Sequence, residues 1–174
     1  MVSPATFRLG AGAIGDASMT QDLTRSAVSA PKDPAYADRI RDSFGRQNFM
    51  TALGAVLAAV EPGRVEIELP FRNDLTQQHG FFHAGVTSSI ADTAGGYAGF
   101  TLFPANSSVL TVEFKMNLLA PARGEKLVAI GEVIKSGRTL TFCDLKVFAV
   151  AAGQRTLCAT GQQTLICLHE RPDQ

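Results

Sequence analysis

Residues 79–103 read HGFFHAGVTSSIADTAGGYAGFTLF, and this stretch decides the fold. It has the length of a helix, yet between Gly80 and Val112 the only carboxylate is Asp92, and Lys and Arg are absent. A surface helix carries a charged face opposite its apolar stripe. A helix without one is expected to be enclosed on nearly all sides. Projected at about 100° per residue, Val86, Ile90, Thr93, Ala94, Tyr97 and Phe100 fall on one face. Ser88, Ser89, Gly95, Gly96 and Gly99 fall on the other, around Asp92. Glycine inside a helix costs roughly 1 kcal/mol relative to alanine. Three glycines beside one carboxylate therefore point to a close approach to the backbone, either by a packing partner or by a ligand. An ionised carboxylate buried alone is strongly disfavoured, so Asp92 is expected to have a partner, a raised pKa, or both. Groups perturbed in this way concentrate at working sites.

Outward from this stretch the chain changes period. Asp33-Pro34 has the form of an N-cap followed by proline, and Tyr36, Ile40 and Phe44 recur every fourth residue up to Gly45. This predicts a short amphipathic helix over 34–44. From Phe49 the pattern predicts strands: the apolar run 50–60, a turn at Glu61-Pro62-Gly63, then alternation through Val65, Ile67, Leu69 and Phe71. A loop over 72–82 leads into the central helix, which ends at Phe103-Pro104. Four more strands are expected over 108–119, 126–135, 140–150 and 155–168. In the first, Val112, Phe114, Met116 and Leu118 alternate with Thr111, Glu113, Lys115 and Asn117. Short hairpin connections make the sheet antiparallel. The expected fold class is α+β, a curved antiparallel sheet of about six strands wrapped round one long central helix. Residues 33–170 form a single domain in this reading. Residues 1–32, rich in Ala, Ser, Gly and Thr without a sustained period, are expected to be a poorly ordered tail.

Composition removes several function classes. Lys and Arg equal Asp and Glu at 16 each, which leaves no electrostatic footprint for nucleic acid. No apolar run reaches the roughly 18 residues that span a bilayer, and the first residues lack a signal-peptide pattern. The three cysteines, Cys143, Cys158 and Cys167, fit neither a CxxC pair nor a zinc site. Buried reduced thiols in a cytoplasmic protein account for them, with no metal and no cofactor.

Three further segments carry a resemblance. They are Gln77-Gln78-His79-Gly80-Phe81-Phe82-His83-Ala84-Gly85 followed by Asp92, then Leu110-Thr111-Val112-Glu113-Phe114 running into Leu119-Ala120-Pro121-Ala122, and Gly137-Arg138-Thr139-Leu140-Thr141-Phe142. Over about residues 45–168 the sequence resembles the hot-dog-fold acyl-CoA thioesterases of the PaaI (phenylacetate-degradation) type. The resemblance implies hydrolysis of acyl-CoA with Asp92 as general base or nucleophile. It implies that the Ala84 amide at the helix N-terminus binds the thioester oxygen, that Gln77 positions substrate or water, and that Thr111 assists from the facing strand. Where this sequence has Ala84, the family commonly has the middle glycine of His-Gly-Gly.

The chemistry points the same way. Free amides at a helix start are donors for a developing oxyanion, and Asp92 lies on the small-residue face some two and a half turns along. That separation is long for one helix acting alone, so the two groups are expected to come from two subunits of a homodimer or homotetramer, with the active site at the interface. His83 is a candidate either for catalysis or for capping the helix. Gly85, Phe82, Ser88 and Arg138 are candidates for substrate binding, Arg138 by meeting CoA phosphates. The competing readings are a non-catalytic acyl-CoA-binding protein and a hot-dog dehydratase or hydratase. The His-Phe-Pro-Gly signature of the dehydratases and the Asp-x4-His of the hydratases are both absent.

Overall fold

The computed structural model describes residues 30–173. The expected tail over 1–32 therefore lies, except for its last three residues, outside the described residues.

Helix α1 (Tyr36–Arg46) starts two residues later than the sequence pattern predicts and runs through Gly45. The carboxylate of Asp33 accepts from the Ala35 amide, so it caps a turn that precedes the helix. Asn48–Leu53 forms a second short helix, α2, where the sequence predicted strand. It ends at Gly54, whose φ of 73° is the left-handed conformation of a helix C-terminus. An apolar run as short as Phe49–Leu53 has no usable period, and the left-handed glycine was its one boundary signal.

The strands are β1 (Val56–Glu61), β2 (Arg64–Pro70), β3 (Ser107–Leu118), β4 (Lys126–Ser136), β5 (Leu140–Ala151) and β6 (Gln154–His169). They form one antiparallel sheet in the order β1-β2-β4-β5-β6-β3. The central helix α3 (Ala84–Phe100) packs across this sheet, with β2, β4 and β5 beneath most of its length. Ile90, Ala94 and Phe100 of α3 are fully buried with Ile67, Leu69, Leu127, Leu145 and Leu165 of the sheet. The alternation expected in β5 holds: Cys143, Leu145, Val147 and Ala149 all face this core.

Two expectations about α3 need correction. The helix is not enclosed on nearly all sides, because Ser88, Ser89, Asp92, Thr93 and Gly96 are only half-buried. The sheet covers one side and leaves the other open. The glycines around Asp92 are also divided between two surroundings. A Cβ on Gly95 would strike Gln163 and Leu145, and one on Gly99 would strike Leu165, whereas Gly96 faces open space. Gly95 and Gly99 thus serve the close approach of helix to sheet.

Gly131 of β4 is the counterpart from below: a Cβ there would meet the backbone of Ala94 and Gly95. Backbone atoms cannot swing aside as a side chain can. Gly131→Val is therefore expected to destabilise by about 3 kcal/mol or more, the upper range for overpacking a core. Urea denaturation monitored by circular dichroism measures this directly.

Strand β3 departs from simple alternation. Thr111 pairs with Leu165 and Glu113 with Thr164, so Val112 is an extra residue in a β-bulge. Regular alternation would put Thr111 and Phe114 on opposite faces. The bulge turns Thr111 toward α3 and also puts Phe114, Met116 and Leu118 on that side, opposite Gln163, Gly161 and Ala159.

Arg39 of α1 fastens the far end of α3. Its guanidinium donates to the carbonyls of Phe100, Phe103 and Pro104, lies 4.2 Å from the centre of the Phe100 ring, and is 3.3 Å from the Asp33 carboxylate. A cation at the carbonyl end of a helix is favourably placed.

Candidate active site

The loop before α3 is set by local hydrogen bonds. The Gln77 amide donates to Phe81 O at 2.9 Å and the Gly80 amide to Gln77 O at 3.0 Å, with Gly80 at φ 78°. Gln77 Oε1 accepts from the His79 amide. Phe82 is buried edge-on against Phe71, ring centres 5.4 Å apart. His83 is the N-cap of α3: its Nδ1 accepts from the Gly85 amide at 2.9 Å, and its carbonyl accepts from the Thr87 amide at 3.1 Å. The Ala84 amide has no partner among the described residues. It is a free donor at the positive end of a helix. Gly85 is exposed and packs under the His83 ring.

A cavity of about 420 Å³ opens at this helix end. Gln77, Phe81, Phe82, Ala84 and Thr87 line one side, and Leu118 through Ala122 line much of the other. Gln77, Phe82 and Ala84, separated in the sequence, thus share one cavity.

Asp92 sits in a different place. Eight residues along α3 from Ala84 correspond to about 12 Å of rise. A smaller cavity of about 190 Å³ surrounds the carboxylate, lined by Gln47, Thr93, Gly96, Tyr97 and Thr111 among others. Thr111 Oγ1 donates to Asp92 Oδ1 at 2.8 Å. Gln163 Nε2 lies 2.6 Å from the same Oδ1, 3.1 Å from Asp92 O and 2.9 Å from Thr111 Oγ1. Burial pushes the Asp92 carboxyl above the ordinary aspartate value, and the donors Thr111 and Gln163 hold it back only in part. One carboxylate oxygen, Oδ1, is thus anchored, and the other, Oδ2, is without a hydrogen bond among the described residues.

The single chain does not bring the carboxylate and the free amide together. Ser88 is half-buried between them on α3. Arg138 is exposed at the β4–β5 hairpin and lines neither cavity; its carbonyl faces His169 Nε2 at 2.9 Å. A wider concavity of about 780 Å³ lies among Glu113, Lys115, Asp144 and Gln162, which project from the sheet away from Asp92.

Sequence reasoning missed Gln163 and Gln47. Gln163 had a signal: in β6 it falls on the inward parity shared by Ala159, Gly161, Leu165 and Cys167. A glutamine at an inward position calls for a polar partner. Gln47 had none, because it lies between two helices of which the sequence showed one.

The three cysteines are buried and unpaired. Burial pushes the Cys143 thiol up to about 12, so it stays protonated and inert at neutral pH. Among the described residues no cluster of His, Cys, Asp and Glu has the form of a metal site, and no helix is long and apolar enough to cross a membrane.

The model of the thioesterase superfamily matches residues 79–154, the stretch from the loop before α3 to the start of β6. A thioesterase family protein of Silicibacter pomeroyi, known by crystal structure, is 48% identical, with 77% of this chain and 98% of that one covered and a TM-score of 0.76. Human acyl-coenzyme A thioesterase 13 is 28% identical over 120 residues, 68% of this chain and 84% of the human one. The PaaI protein of the E. coli phenylacetic acid degradation operon has the same fold, with a TM-score of 0.67 at 17% identity, over 75% of this chain and 91% of that one. The sheet wrapped on α3 is thus a hot-dog fold, and the chain belongs to the thioesterase superfamily as a thioester hydrolase.

Proposed function

We propose that the chain hydrolyses acyl-CoA thioesters to a free acid and CoA, with Asp92 of one protomer and the Ala84 amide of another meeting on one substrate. The observation that carries this reading is the Asp92 carboxylate, held by Thr111 and Gln163 at one oxygen and open at the other. Asp92 takes the proton of an attacking water, or attacks the carbonyl itself, while the thioester oxygen gathers charge against the Ala84 N–H. The C–S bond then breaks, CoA leaves as thiolate, and a proton returns to it. Gln77 and Phe82 contact the substrate beside the oxyanion amide, and Ser88 and Gly85 line its path along α3. His83, its Nδ1 engaged in the cap, orients that helix end.

Two observations support the paired arrangement. The carboxylate and the amide lie in separate cavities of one chain. Strand β3 also ends the sheet with one edge unpaired, and Leu110, Val112, Leu118 and Leu119 on or just after it are each more than half exposed. A long apolar edge strand invites pairing with another strand. The assembly is a homodimer or a homotetramer built from such dimers, and its unpaired cysteines suit the reducing cytoplasm.

The test is a panel of aliphatic and aromatic acyl-CoA thioesters, assayed for free CoA. Release of thiol from at least one member supports hydrolysis, and binding without release would leave an acyl-CoA-binding protein. A single turnover in ¹⁸O-water bears on the role of Asp92: label found in its carboxylate establishes a nucleophile whose anhydride is opened by water at the aspartyl carbon, and trapping of the anhydride with hydroxylamine detects opening at the acyl carbon.

Arg138→Ala is expected to raise KM for acyl-CoA well beyond its effect on kcat. A guanidinium on an exposed hairpin acts on the remote phosphates, where uniform binding is lost. An unchanged KM would leave Arg138 a solvated turn residue.

A further inference from the structure

We propose that Gln163 is the positioning residue of this site: its side-chain amide, fixed in the sheet, holds Oδ1 of Asp92 so that Oδ2 faces the substrate. The inference rests on the reading of Asp92 as the reacting carboxylate and adds a residue to it. Gln163 is 2% exposed, one of the few buried polar side chains among the described residues. It reaches α3 from β6, a strand that contributes nothing else to the carboxylate.

The network admits one orientation. Gln163 Nε2 has two hydrogens and three acceptors within 3.1 Å, namely Asp92 O, Asp92 Oδ1 and Thr111 Oγ1. Turning the amide over would set Oε1 against three oxygens. With Nε2 inward, Thr111 accepts from Gln163 and must point its own proton at Oδ1. The amide thus sets the direction of the hydroxyl as well as the position of the carboxylate. Oε1 is left buried without a hydrogen-bond partner. It rests against Gly95, where a Cβ would collide with it, so the glycine one turn from Asp92 is the seat of this glutamine. A buried acceptor without a donor destabilises a fold, and a site that retains one is holding that side chain for its other end.

The groups facing Asp92 are Thr111 from β3, Gln163 from β6, Gln47 from the α1–α2 junction, and Thr93 and Tyr97 of its own helix. Tyr97 is the only other titratable group among them. Burial raises its pKa and its hydroxyl pairs with Ser43 at 3.1 Å, so it stays neutral across the working range. No charged side chain among the described residues shifts the carboxyl; its titration is set by burial and by the two donors.

The experiment is the pH profile of kcat for Gln163→Met, which keeps length and volume while removing the amide. Removing a donor to the charged form raises the carboxyl pKa further, so the acid limb is expected to move up by roughly one pH unit. Loss of alignment is expected to lower kcat roughly tenfold to a hundredfold while KM changes little. A folded Gln163→Met with an unmoved acid limb and unchanged kcat would overturn the proposal and leave Gln163 a packing residue. Should that variant not accumulate as folded protein, Gln163→Glu carries the same test. It keeps shape and polarity but sets a second carboxyl against the first, so an acid limb raised by a unit or more supports the assignment and an unmoved limb rejects it. Asp92→Asn, run beside them, separates the two layers. Residual turnover near wild type there removes the reading of Asp92 itself, whereas an inactive Asp92→Asn beside an unaltered Gln163→Met removes this inference alone.

Discussion

Asp92→Asn is expected to lower turnover by roughly two to four orders of magnitude, the range for loss of a positioned base, while the protein stays folded. Asparagine keeps the volume and an acceptor oxygen for Thr111 and Gln163, but it has no basicity and no negative charge. Stability should move the other way. Burial holds the Asp92 carboxyl above its ordinary value, so the folded state prefers the protonated acid. The stabilising contribution of such a group is complete below the unfolded aspartate pKa and is lost as pH rises through the raised folded value. At neutral pH the ionised carboxylate therefore weakens the fold, and Asn relieves it. Melting curves should show a higher Tm for Asp92→Asn at pH 7 and convergence with the wild type in acid. On the proposed mechanism turnover needs the ionised form, so the same sign places the acid limb of wild-type kcat above the value of an ordinary aspartate. Near-normal kcat in a folded Asp92→Asn would remove the mechanism.

Ala84→Pro tests the other half of the chemistry by deleting one N–H. Ala84 is the first residue of α3, the helical position proline tolerates best. His83 before it has φ −64° and ψ 140°, the extended conformation a residue preceding proline adopts. The helix should form unchanged by circular dichroism, and kcat should fall by roughly 10²- to 10³-fold, as for loss of one oxyanion donor. The two inactive variants then interrogate each other. If Asp92 and Ala84 act across an interface, a mixed dimer of Asp92→Asn and Ala84→Pro chains holds one intact site. Equal mixing after subunit exchange should restore about a quarter of wild-type activity for a two-fold dimer. No recovery from chains that demonstrably exchange would place both groups on one chain.

The parts of the fold that the sequence shows clearly are those with many residues of one period. The uncharged run around Asp92 gave the central helix, and the long alternating strands gave five of the six sheet members to within a residue or two. Asn48–Leu53 was misread because six residues are too few for a 3.6-residue period to separate from a strand. The site was half visible. Asp92 stood out as a lone carboxylate, and the glycines and serines around it were visible, but a projection gives angles about an axis and cannot say which arc the sheet will cover. Gly95 and Gly96 differ in their roles because one meets Gln163 and the other meets open space. Gln163 itself lies 71 positions from Asp92, and only the strand order places the two side by side.

The extra residue at Val112 makes β3 a counting device. Upstream of it, even spacing keeps Thr111 in phase with Asp92; downstream, it keeps Met116 in phase with the core and Leu118 with the cleft wall. Loss of Val112 itself would leave a regular ladder, with Thr111 and Phe114 two apart and still both on the α3 side, so the two halves stay in step; gain of one residue would put them out of step. Loss of two would keep the bulge but slide Met116 and Leu118 two places along β6. Changes in length in this strand are thus measured against the one residue that the bulge can give up, a constraint that the β4–β5 and β5–β6 hairpin loops escape. A single-residue deletion between Thr111 and Met116 should therefore retain the fold and much of the turnover, whereas a single-residue insertion there should abolish turnover even in variants that remain folded.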